Sequence, residues 1–473
     1  MKGEKPAAAR LSWQPRSIEP GMPAYRALSR AIQADIDGGR LVAGERLPPQ
    51  RDLARALGLA PGTVARAYVD AERTGLVVGH VGRGTYVADG AAAPPRQTGA
   101  RIPTPPLASA GSIDFSVNVP LMIDAAATLN HAIRQLLDKA DIGQLLQYQP
   151  HRGSLAHRVC GVGWLARAGV ETTPESVLVT SGAQHGIFVA IAALTRPGDV
   201  VLVEQYTYPS IRSICRHLGL ELVGAEMDAR GMLPESVERI CQTRKPKVIY
   251  CIPNNQNPTC ASMDEERRAA LVAIARTHDA CIVEDDVYGP LHAAGTPLYM
   301  LDPNRTIHVS SLSKTLAPGL RAGFMAVPTA LIDRCADVIR STTWMAPPLL
   351  IEIAARWIED GADQVLEERR RHTASLHAIA EQHLGACGYR GHPSALHGWL
   401  ELPEGEDEVS FVSQAQRLGV LVSPGALFLA SEGSSRAIRI SFGAVADAVA
   451  VSEGCDRLRR LLEGEFAGAV PTF

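Results

Sequence analysis

The sequence predicts a two-domain chain containing both α and β structure: a small N-terminal winged helix-turn-helix domain and a larger α/β domain built on a parallel sheet. Two observations support this division. The first ninety residues contain two short helical patterns joined by a glycine turn and followed by an alternating hairpin, whereas later residues contain short apolar runs that each end in polar residues. With 473 residues, the chain is long enough for one small and one large domain.

The N-terminal domain is expected to span residues 20–90. Its predicted elements, over residues 25–88, are a first helix, two more helices at 52–57 and 64–74, and a hairpin at 76–80 and 85–88. Gly58 lies in the turn between the two helices, and Arg83 lies at the tip of the hairpin. Two short helices joined by a glycine-containing turn are typical of a helix-turn-helix, and the hairpin adds a wing.

Charge indicates that this first domain binds DNA. Residues 1–101 carry 15 Lys and Arg against 9 Asp and Glu, a balance of +6, which leaves −9 for the remainder because the chain totals −3. A basic head on an acidic body is typical of DNA binding by the head alone. A recognition helix presents its first turn to base edges, while arginines and amides hold phosphates. The predicted DNA-binding residues are Arg51, Thr63, Arg66 and Arg83.

The segment 91–112 is predicted to be a linker. It is rich in Ala, Pro and Gly and shows almost no apolar periodicity. Such a composition is semi-rigid where proline dominates. The linker would let a dimeric body hold two heads at a spacing set by the DNA site.

The second domain, expected over 113–473, contains polar clusters at the ends of predicted strands. The strands lie at 248–252, 281–283 and 307–309, and the residues that follow them are Asn257, then Asp285 and Tyr288, then Lys314 and Arg321. In open α/β sheets, ligands bind beyond the carboxyl ends of the strands. A pyridoxal phosphate site requires these groups in this order: an amide, a carboxylate with a phenol, an amine and a guanidinium.

Each residue type matches one part of this cofactor. The Lys314 amine forms a Schiff base with the aldehyde, and Asp285 keeps the ring nitrogen protonated, so that the ring withdraws electrons. Tyr288 and Asn257 are expected to donate hydrogen bonds to the phenolic oxygen of the ring. The side chains expected to bind the phosphate are Ser311, Ser313 and Arg321.

A second half of the phosphate site is predicted after the strand at 177–180. Ser181, Gly182 and Ala183 open the helical run that continues to residue 194. Backbone amides at the start of a helix bind phosphate without a charged side chain. Tyr208 is expected to stack on the face of the pyridine ring.

With these motifs, residues from about 113 to 460 resemble the fold-type I aminotransferases. The resemblance implies a pyridoxal phosphate-dependent α/β fold with a small α/β C-terminal subdomain. It also implies that Arg439 binds the carboxylate of a substrate or effector, and that Tyr148 reaches the phosphate of a neighbouring subunit. The chain is therefore expected to be a homodimer.

Two positions depart from the aminotransferase pattern. Cys260 follows Asn-Pro-Thr, where the family usually has glycine, and the segment 117–120 lacks the glycine commonly found where the substrate carboxylate lies. Both departures concern the substrate side of the site. They hardly affect the expected binding of the cofactor.

The first domain resembles the GntR-type winged helix-turn-helix along its whole length. A GntR-type head ahead of an aminotransferase-like body resembles the MocR/GabR transcription regulators across essentially the full chain. Pro61 and Ala65 stand where many GntR members have basic residues. The resemblance therefore implies operator binding without transferring a base sequence.

Composition indicates a cytoplasmic protein without a metal site. The nine cysteines are scattered and never form a Cys-x-x-Cys pair, which is typical of reduced thiols. No metal-ligand spacing occurs, no apolar run approaches the ~18 residues of a membrane span, and the N-terminus lacks an apolar signal core.

Three functions remain open at this point. The body is a sensor that binds an amino compound as an external aldimine and controls DNA binding, with little or no turnover. Alternatively, it is a working aminotransferase, or a regulator for which pyridoxal phosphate itself is the effector. The winged helix-turn-helix favours regulation over catalysis alone.

Overall fold

The computed structural model describes residues 12–16, 24–73, 76–80, 84–87, 111–120, 125–139, 141–292, 295–445 and 447–465. The chain divides into two compact units, Met1–Pro103 and Thr104–Phe473. We refer to them as the head and the body.

The described part of the head contains three helices and a hairpin: α1 Ala24–Asp37, α2 Gln50–Leu57, α3 Pro61–Arg73, β1 Val77–His80 and β2 Gly84–Val87. Helix α2 ends because Gly58 adopts a left-handed conformation, with φ of 66°, and its amide donates to the carbonyl of Ala54. Leu28, Ile32 and Val64 are fully buried between the helices. The hairpin is antiparallel. Arg83, predicted at its tip, lies outside the described residues.

The body is centred on a seven-stranded sheet with the order β4-β12-β11-β10-β9-β5-β6. Its strands are β4 Val177–Thr180, β5 Val200–Glu204, β6 Glu221–Ala225, β9 Val248–Cys251, β10 Cys281–Asp285, β11 Thr306–Ser311 and β12 Gly323–Ala326. Strands β6, β5, β9, β10 and β11 pair in parallel, and β12 runs antiparallel to both of its neighbours. The short strands β7 Met227–Asp228 and β8 Gly231–Met232 form a separate hairpin.

Helices cover both faces of this sheet. They are α4 Ala125–Lys139, α5 Ile142–Leu145, α6 Leu155–Ala166, α7 Ala183–Leu194, α8 Pro209–His217, α9 Pro234–Arg244, α10 Glu265–Thr277, α11 Leu298–Leu301, α12 Ile332–Thr342 and α13 Pro348–Asp360. Alternate residues of a strand face opposite sides. Accordingly, Ile249 belongs to the core formed with α9 and α10, whereas Val248 and Tyr250 belong to the core formed with α6 and α7.

A smaller subdomain follows, with a four-stranded sheet in the order β13-β14-β17-β16. Its elements are α14 Ala362–Leu384, β13 Tyr389–Gly391, β14 His397–Glu401, α15 Glu408–Arg417, β15 Val420–Leu421, β16 Ser423–Pro424, β17 Ala437–Ser441 and α16 Ala448–Leu462. Strand β3, Ile113–Asp114, pairs with β15, and Phe115 is buried in the subdomain's core. The beginning of the body is therefore part of its C-terminal subdomain.

Candidate functional site

The parallel strands bring the predicted cofactor residues to one edge of the large sheet. Asp285 ends β10 and Ser311 ends β11, and these strands are parallel neighbours, so their carboxyl ends open into the same crevice. A cavity of about 190 Å³ lies there. The predicted residues that line it are Ala183, Tyr208, Asn257, Asp285, Tyr288, Ser311, Ser313, Lys314 and Arg321.

Lys314 lies in the loop after β11, and its side chain is held inside the cavity. Its Nζ donates a hydrogen bond to the backbone carbonyl of Asn118. Burial, and to a smaller extent the charge of Arg439, lower the pKa of Lys314 to about 8, while Asp285 opposes the shift. A lowered pKa increases the fraction of Lys314 present near neutral pH as the neutral amine, which is the nucleophilic form.

Asp285 provides the clearest test of whether a pyridinium ring fits. Its Oδ2 accepts a hydrogen bond from the Tyr250 hydroxyl at 2.6 Å. Its Oδ1 is buried and has no hydrogen-bond partner among the described residues. Burial raises the pKa of Asp285 to about 6, although the bond from Tyr250 opposes the shift. A protonated ring nitrogen is the donor that this oxygen lacks, so the carboxylate fits the cofactor.

The phosphate side is built from a glycine turn and an arginine that approach closely. Gly182, with φ of 84°, precedes α7, and a Cβ added there would lie 2.7 Å from Nη2 of Arg321. Arg321 donates to the Ser181 carbonyl at 3.1 Å and to Oγ of Ser313 at 3.4 Å. Both acceptors are neutral, and the first backbone amides of α7 follow directly after Gly182. The arrangement is suited to an anion.

The opposite side of the cavity carries Tyr288 and Asn257. Tyr288 is fully buried, and its hydroxyl accepts a hydrogen bond from Nδ2 of Asn118 at 3.0 Å. Oδ1 of Asn257 accepts from Nη1 of Arg439 at 2.9 Å, which leaves the amide nitrogen of Asn257 available. Both residues can therefore still donate into the cavity.

Arg439, on β17, is buried beside the cavity and makes three hydrogen bonds. Besides Asn257, it donates through Nη2 to the carbonyl of Ser116 at 2.8 Å and to Oγ of Ser423 at 3.3 Å. Its guanidinium lies 4.7 Å from the ring centre of Phe428. Burial lowers the pKa of Arg439 to about 10. Only its Nε has no partner among the described residues.

Tyr148 does not reach the cavity of its own chain. Its side chain is 81% exposed, and its ring centre lies 5.5 Å from that of Trp344. Trp344 is itself 46% exposed. This location is compatible with a tyrosine that contacts a second subunit.

In the head, three of the predicted DNA-binding residues, Arg51, Thr63 and Arg66, lie on the helix-turn-helix. Arg51 is exposed in the first turn of α2, and Thr63 is partly buried in the first turn of α3. Arg66 is exposed, and its guanidinium lies 4.1 Å above the ring of Tyr25. Arg46, which the sequence did not single out as a DNA-binding candidate, lines a surface cavity together with Arg51 and the start of β2.

In the body, sequence reasoning missed Tyr250, Asn118 and His397. Tyr250 lies inside an apolar run, and His397 lies in no motif, so neither residue carried a signal. Asn118 lies in the segment 117–120, which was noted only for its missing glycine. Within the described part of the chain, no cluster of three potential metal ligands occurs, and no helix is long and apolar enough to cross a membrane.

A lysine, a carboxylate and a glycine–arginine phosphate site at the strand ends of a mostly parallel sheet define the class of fold-type I pyridoxal phosphate proteins. The model of the aminotransferase class I and II family matches residues 110–458. The model of the gntR family of bacterial regulatory proteins matches residues 24–87. The chain belongs to the aminotransferase class I and II family and combines it with a gntR-family domain, as the MocR/GabR-type transcription regulators do.

Full-length relatives share this combination. The uncharacterised HTH-type transcriptional regulator YdeF of Bacillus subtilis is 30% identical over 458 residues, covering 96% of this chain and 97% of its own. The HTH-type transcriptional regulator TauR of Rhodobacter capsulatus is 28% identical over 472 residues, covering 92% and 96%. The regulator architecture predicted from the sequence is confirmed.

Solved structures match the body. The kynurenine aminotransferase of Pyrococcus horikoshii, solved in complex with PMP, is 25% identical with a TM-score of 0.69, covering 75% of this chain and 91% of its own. An archaeal alanine:glyoxylate aminotransferase is 26% identical with the same TM-score and coverage. The predicted fold is confirmed, and so is pyridoxal phosphate as the cofactor of this family.

Proposed function

We propose that the protein senses a small amino compound through pyridoxal phosphate in its body and changes its affinity for operator DNA in response. The observation that carries this proposal is that one cavity holds both the Lys314 amine and Asp285, whose Oδ1 has no partner among the described residues, in a chain whose head is a helix-turn-helix. The proposal keeps residues 20–90 as the DNA-binding domain, 91–112 as the linker and 113–473 as the effector domain. It also includes a cytoplasmic location.

The residues lining the cavity take the following roles in this proposal. When bound, pyridoxal phosphate supplies an aldehyde that condenses with primary amines and a ring that withdraws electrons. Asp285 accepts a hydrogen bond from the protonated ring nitrogen, and Tyr288 and Asn257 donate towards the phenolic oxygen. Tyr208 packs against the ring. The phosphate is held by Ser181, Gly182, Ala183, Ser311, Ser313 and Arg321.

Effector recognition is proposed to be an exchange of amines. With the cofactor bound, its aldehyde would be open to the Lys314 amine or to the amine of an effector, and Arg439 would bind a carboxylate of the effector. The released lysine and the ligand-bound arginine then define a second state of the body. A ligand shifts the body towards this state only to the extent that it binds this state more tightly than the first. A tenfold change in DNA affinity requires a coupling of only ~1.4 kcal/mol.

Little or no turnover is part of this proposal. Transamination needs Lys314 to carry a proton after its release and a keto acid to leave. On the substrate side, Asn118 lies in a segment that lacks the family's glycine, and Cys260 stands at a position where the family usually has glycine. The Asn118 amide donates to the Tyr288 hydroxyl, and the Cys260 thiol donates to the backbone carbonyl of His397. They favour a fixed, sensing arrangement over release of a product.

An aminotransferase is the second candidate, because every side-chain type that the chemistry needs is present around Lys314. The two candidates differ in a combined measurement. Amino compounds are titrated against the cofactor's absorbance, while keto acid formation and operator binding are followed in parallel. A sensor gives an absorbance change with altered DNA affinity and slow keto acid release. Rapid release with unchanged DNA affinity identifies an aminotransferase, and a DNA response to the cofactor alone identifies pyridoxal phosphate as the effector.

A homodimer is also proposed, in which Tyr148 completes the phosphate site of the neighbouring subunit. Leu146, Leu155 and Val159 are exposed apolar side chains near this position in the sequence, and the ring of the exposed Trp344 lies 5.5 Å from that of Tyr148. Such side chains are typical of a surface that another protein covers. Two heads then require an operator with two related half-sites. A cofactor-saturated monomer in light scattering at micromolar concentration would contradict the dimer.

The role of Lys314 is tested by trapping the covalent bond. Borohydride reduction followed by peptide mass analysis should place the cofactor on Lys314 in the wild-type protein. Lys314→Ala should lose the reducible bond, whereas the exposed Lys247→Ala should keep it. A reducible protein–cofactor bond in Lys314→Ala would remove this lysine from the proposed role.

A further inference from the structure

Three groups from distant parts of the chain form a hydrogen-bonded series that ends on Tyr288. We call it the Tyr288 relay: the carbonyl of Gln256, the imidazole of His397 and the side-chain amide of Asn118. His397 is the first residue of β14 and is fully buried. Its Nε2 lies 3.1 Å from the Gln256 carbonyl, and its Nδ1 lies 3.4 Å from Nδ2 of Asn118. The relay therefore links the small subdomain to the cavity.

The partners of His397 fix which ring nitrogen carries the hydrogen. A carbonyl oxygen can only accept, so Nε2 of His397 must be the donor towards Gln256. Burial lowers the pKa of His397 to about 3, so the ring is neutral at physiological pH and Nδ1 keeps its lone pair. Nδ1 consequently accepts from Asn118, which orients the amide with Nδ2 towards the ring.

The orientation of Asn118 in turn fixes the role of the tyrosine. The second hydrogen on Nδ2 is directed to the Tyr288 hydroxyl at 3.0 Å, so this hydroxyl accepts from Asn118. The hydroxyl's own hydrogen then remains free for another acceptor. Tyr288 lines the cavity. The backbone of Asn118 is also anchored there, because its carbonyl accepts from Nζ of Lys314.

We propose that Asn118 and His397 are positioning residues that hold Tyr288 as a hydrogen-bond donor into the cavity, and that they thereby set the proton affinity of the chromophore formed by the cofactor with Lys314. This inference rests on the proposed function. A donor aimed at the cofactor's phenolic oxygen stabilises that oxygen in its ionised form and lowers the pKa of the chromophore. Without the relay, the tyrosine hydroxyl is free to rotate and donate elsewhere.

Replacing His397 leaves the other charged and titratable groups around the relay chemically unchanged. Arg439 on β17, Lys314 after β11 and His377 on α14 face His397. Arg439, Asp285 and Cys260 face Tyr288. Because His397 is neutral, its replacement by phenylalanine removes two hydrogen-bonding atoms and no charge. A change in the chromophore's pKa then reports the relay.

The chain offers a matched control in His377. This residue is also buried in the small subdomain, with Nε2 at 2.8 Å from the Ala395 carbonyl and Nδ1 at 2.7 Å from the Tyr389 hydroxyl. Like His397, it has a backbone carbonyl at Nε2, but its Nδ1 faces a tyrosine hydroxyl instead of an asparagine amide, and that tyrosine does not line the cavity. His377→Phe therefore tests the general cost of removing a buried imidazole.

The experiment is a pH titration of the cofactor's visible absorbance in the full-length holoprotein. His397→Phe should raise the spectral pKa by ~1 unit, because a hydrogen bond to the ionised form is weakened. Asn118→Leu should have a similar effect, His377→Phe should have none, and His397→Asn, which keeps an acceptor near Nδ1, should recover part of the shift. In a Tyr288→Phe background, His397→Phe should cause no further change.

The outcomes separate this inference from the proposed function. A wild-type protein with no lysine-linked chromophore overturns the proposed function. A normal wild-type spectrum with an unchanged spectral pKa in His397→Phe, or equal shifts in His377→Phe, overturns the relay. Should the variants not fold, ¹⁵N-histidine spectra of the wild-type protein decide: a neutral ring with hydrogen on Nε2 supports the relay, and hydrogen on Nδ1 overturns it.

Discussion

The head and the body differ in where the charged residues of their candidate sites lie. In the head, Arg51 and Arg66 are exposed on helices that cover an apolar core. In the body, Asp285 and Arg439 are buried and hydrogen-bonded to other polar side chains. Surface charges act through a field that salt screens, whereas buried charges depend on specific partners. The same kind of substitution should therefore have different consequences in the two units.

The body should lose most stability where a buried ion pair is broken. Nδ1 of His308 lies 2.9 Å from Glu284, and both residues are fully buried. Glu284 also accepts from two backbone amides, those of Leu298 and Tyr299. Glu284→Ala leaves these donors unpaired and should lower the unfolding free energy of the body by about 3–5 kcal/mol in urea denaturation.

The exposed pair of Arg340 and Asp337 provides the control for this measurement. Asp337→Ala should cost no more than ~1 kcal/mol, because exposed ion pairs contribute little. The unfolding transition of the head should not change in either variant. Equal losses in the two variants would contradict the contrast between buried and exposed charges.

The same buried pair should make the body's stability depend on pH. Burial alone would lower the pKa of His308, but the charge and hydrogen bond of Glu284 outweigh it and raise that pKa. A group with a raised folded-state pKa stabilises fully below its unfolded pKa and loses this contribution as pH rises through the folded pKa. His308→Asn keeps a donor and removes the titration. The wild type's stability advantage over this variant should shrink as pH rises from mildly acidic values, and an advantage independent of pH would contradict the pair's ionisation.

The head should respond to salt rather than to pH. If Arg51 contacts a phosphate, Arg51→Ala should weaken operator binding for all sequences and reduce the slope of log affinity against log salt by about one. Arg46→Ala should act in the same direction, since both arginines line one surface cavity. Arg371→Ala, an exposed arginine of the body, is the charge-matched control. Loss of affinity at one base position with an unchanged slope would instead indicate base contact.

The smallest expected effect concerns the arginine that stacks on an aromatic ring. Arg66→Gln should lower the unfolding free energy of the head by ~0.5–1 kcal/mol, because the guanidinium lies above the ring of Tyr25. Arg66→Lys should retain part of this contribution. Thermal unfolding of the head is the measurement. A loss as large as that expected for Glu284→Ala would show that Arg66 is not the surface residue its exposure indicates.

Local patterns allowed the sequence to predict the strand ends and the residues on them. The apolar runs at 248–252, 281–283 and 307–309 correspond to β9, β10 and β11, because a fully buried parallel strand is apolar on both faces. The antiparallel direction of β12 could not be predicted, since periodicity carries no direction. The residues on these strand ends do line one cavity, although their individual roles stay predictions.

Contacts between distant residues could not be predicted. Asn118 and Tyr288 are 170 residues apart in sequence, and Asn118 and His397 are 279 apart. No single-sequence pattern pairs positions over such separations. The relay therefore emerged only from the folded chain, whereas Lys314 and Asp285 were found through short motifs.

The pairing of Ile113 with Val420 has a consequence for the order in which the protein is made. The head has its own apolar core, and the described side chains that form it all lie between Trp13 and Val87, so they have left the ribosome early. The core of the small subdomain cannot form until β17 and α16 have been synthesised, because its first strand, β3, has its partners near the other end of the chain. A nascent chain thus has a finished DNA-binding domain long before Arg439 exists. Translation that stops early would yield a head that cannot respond to any ligand.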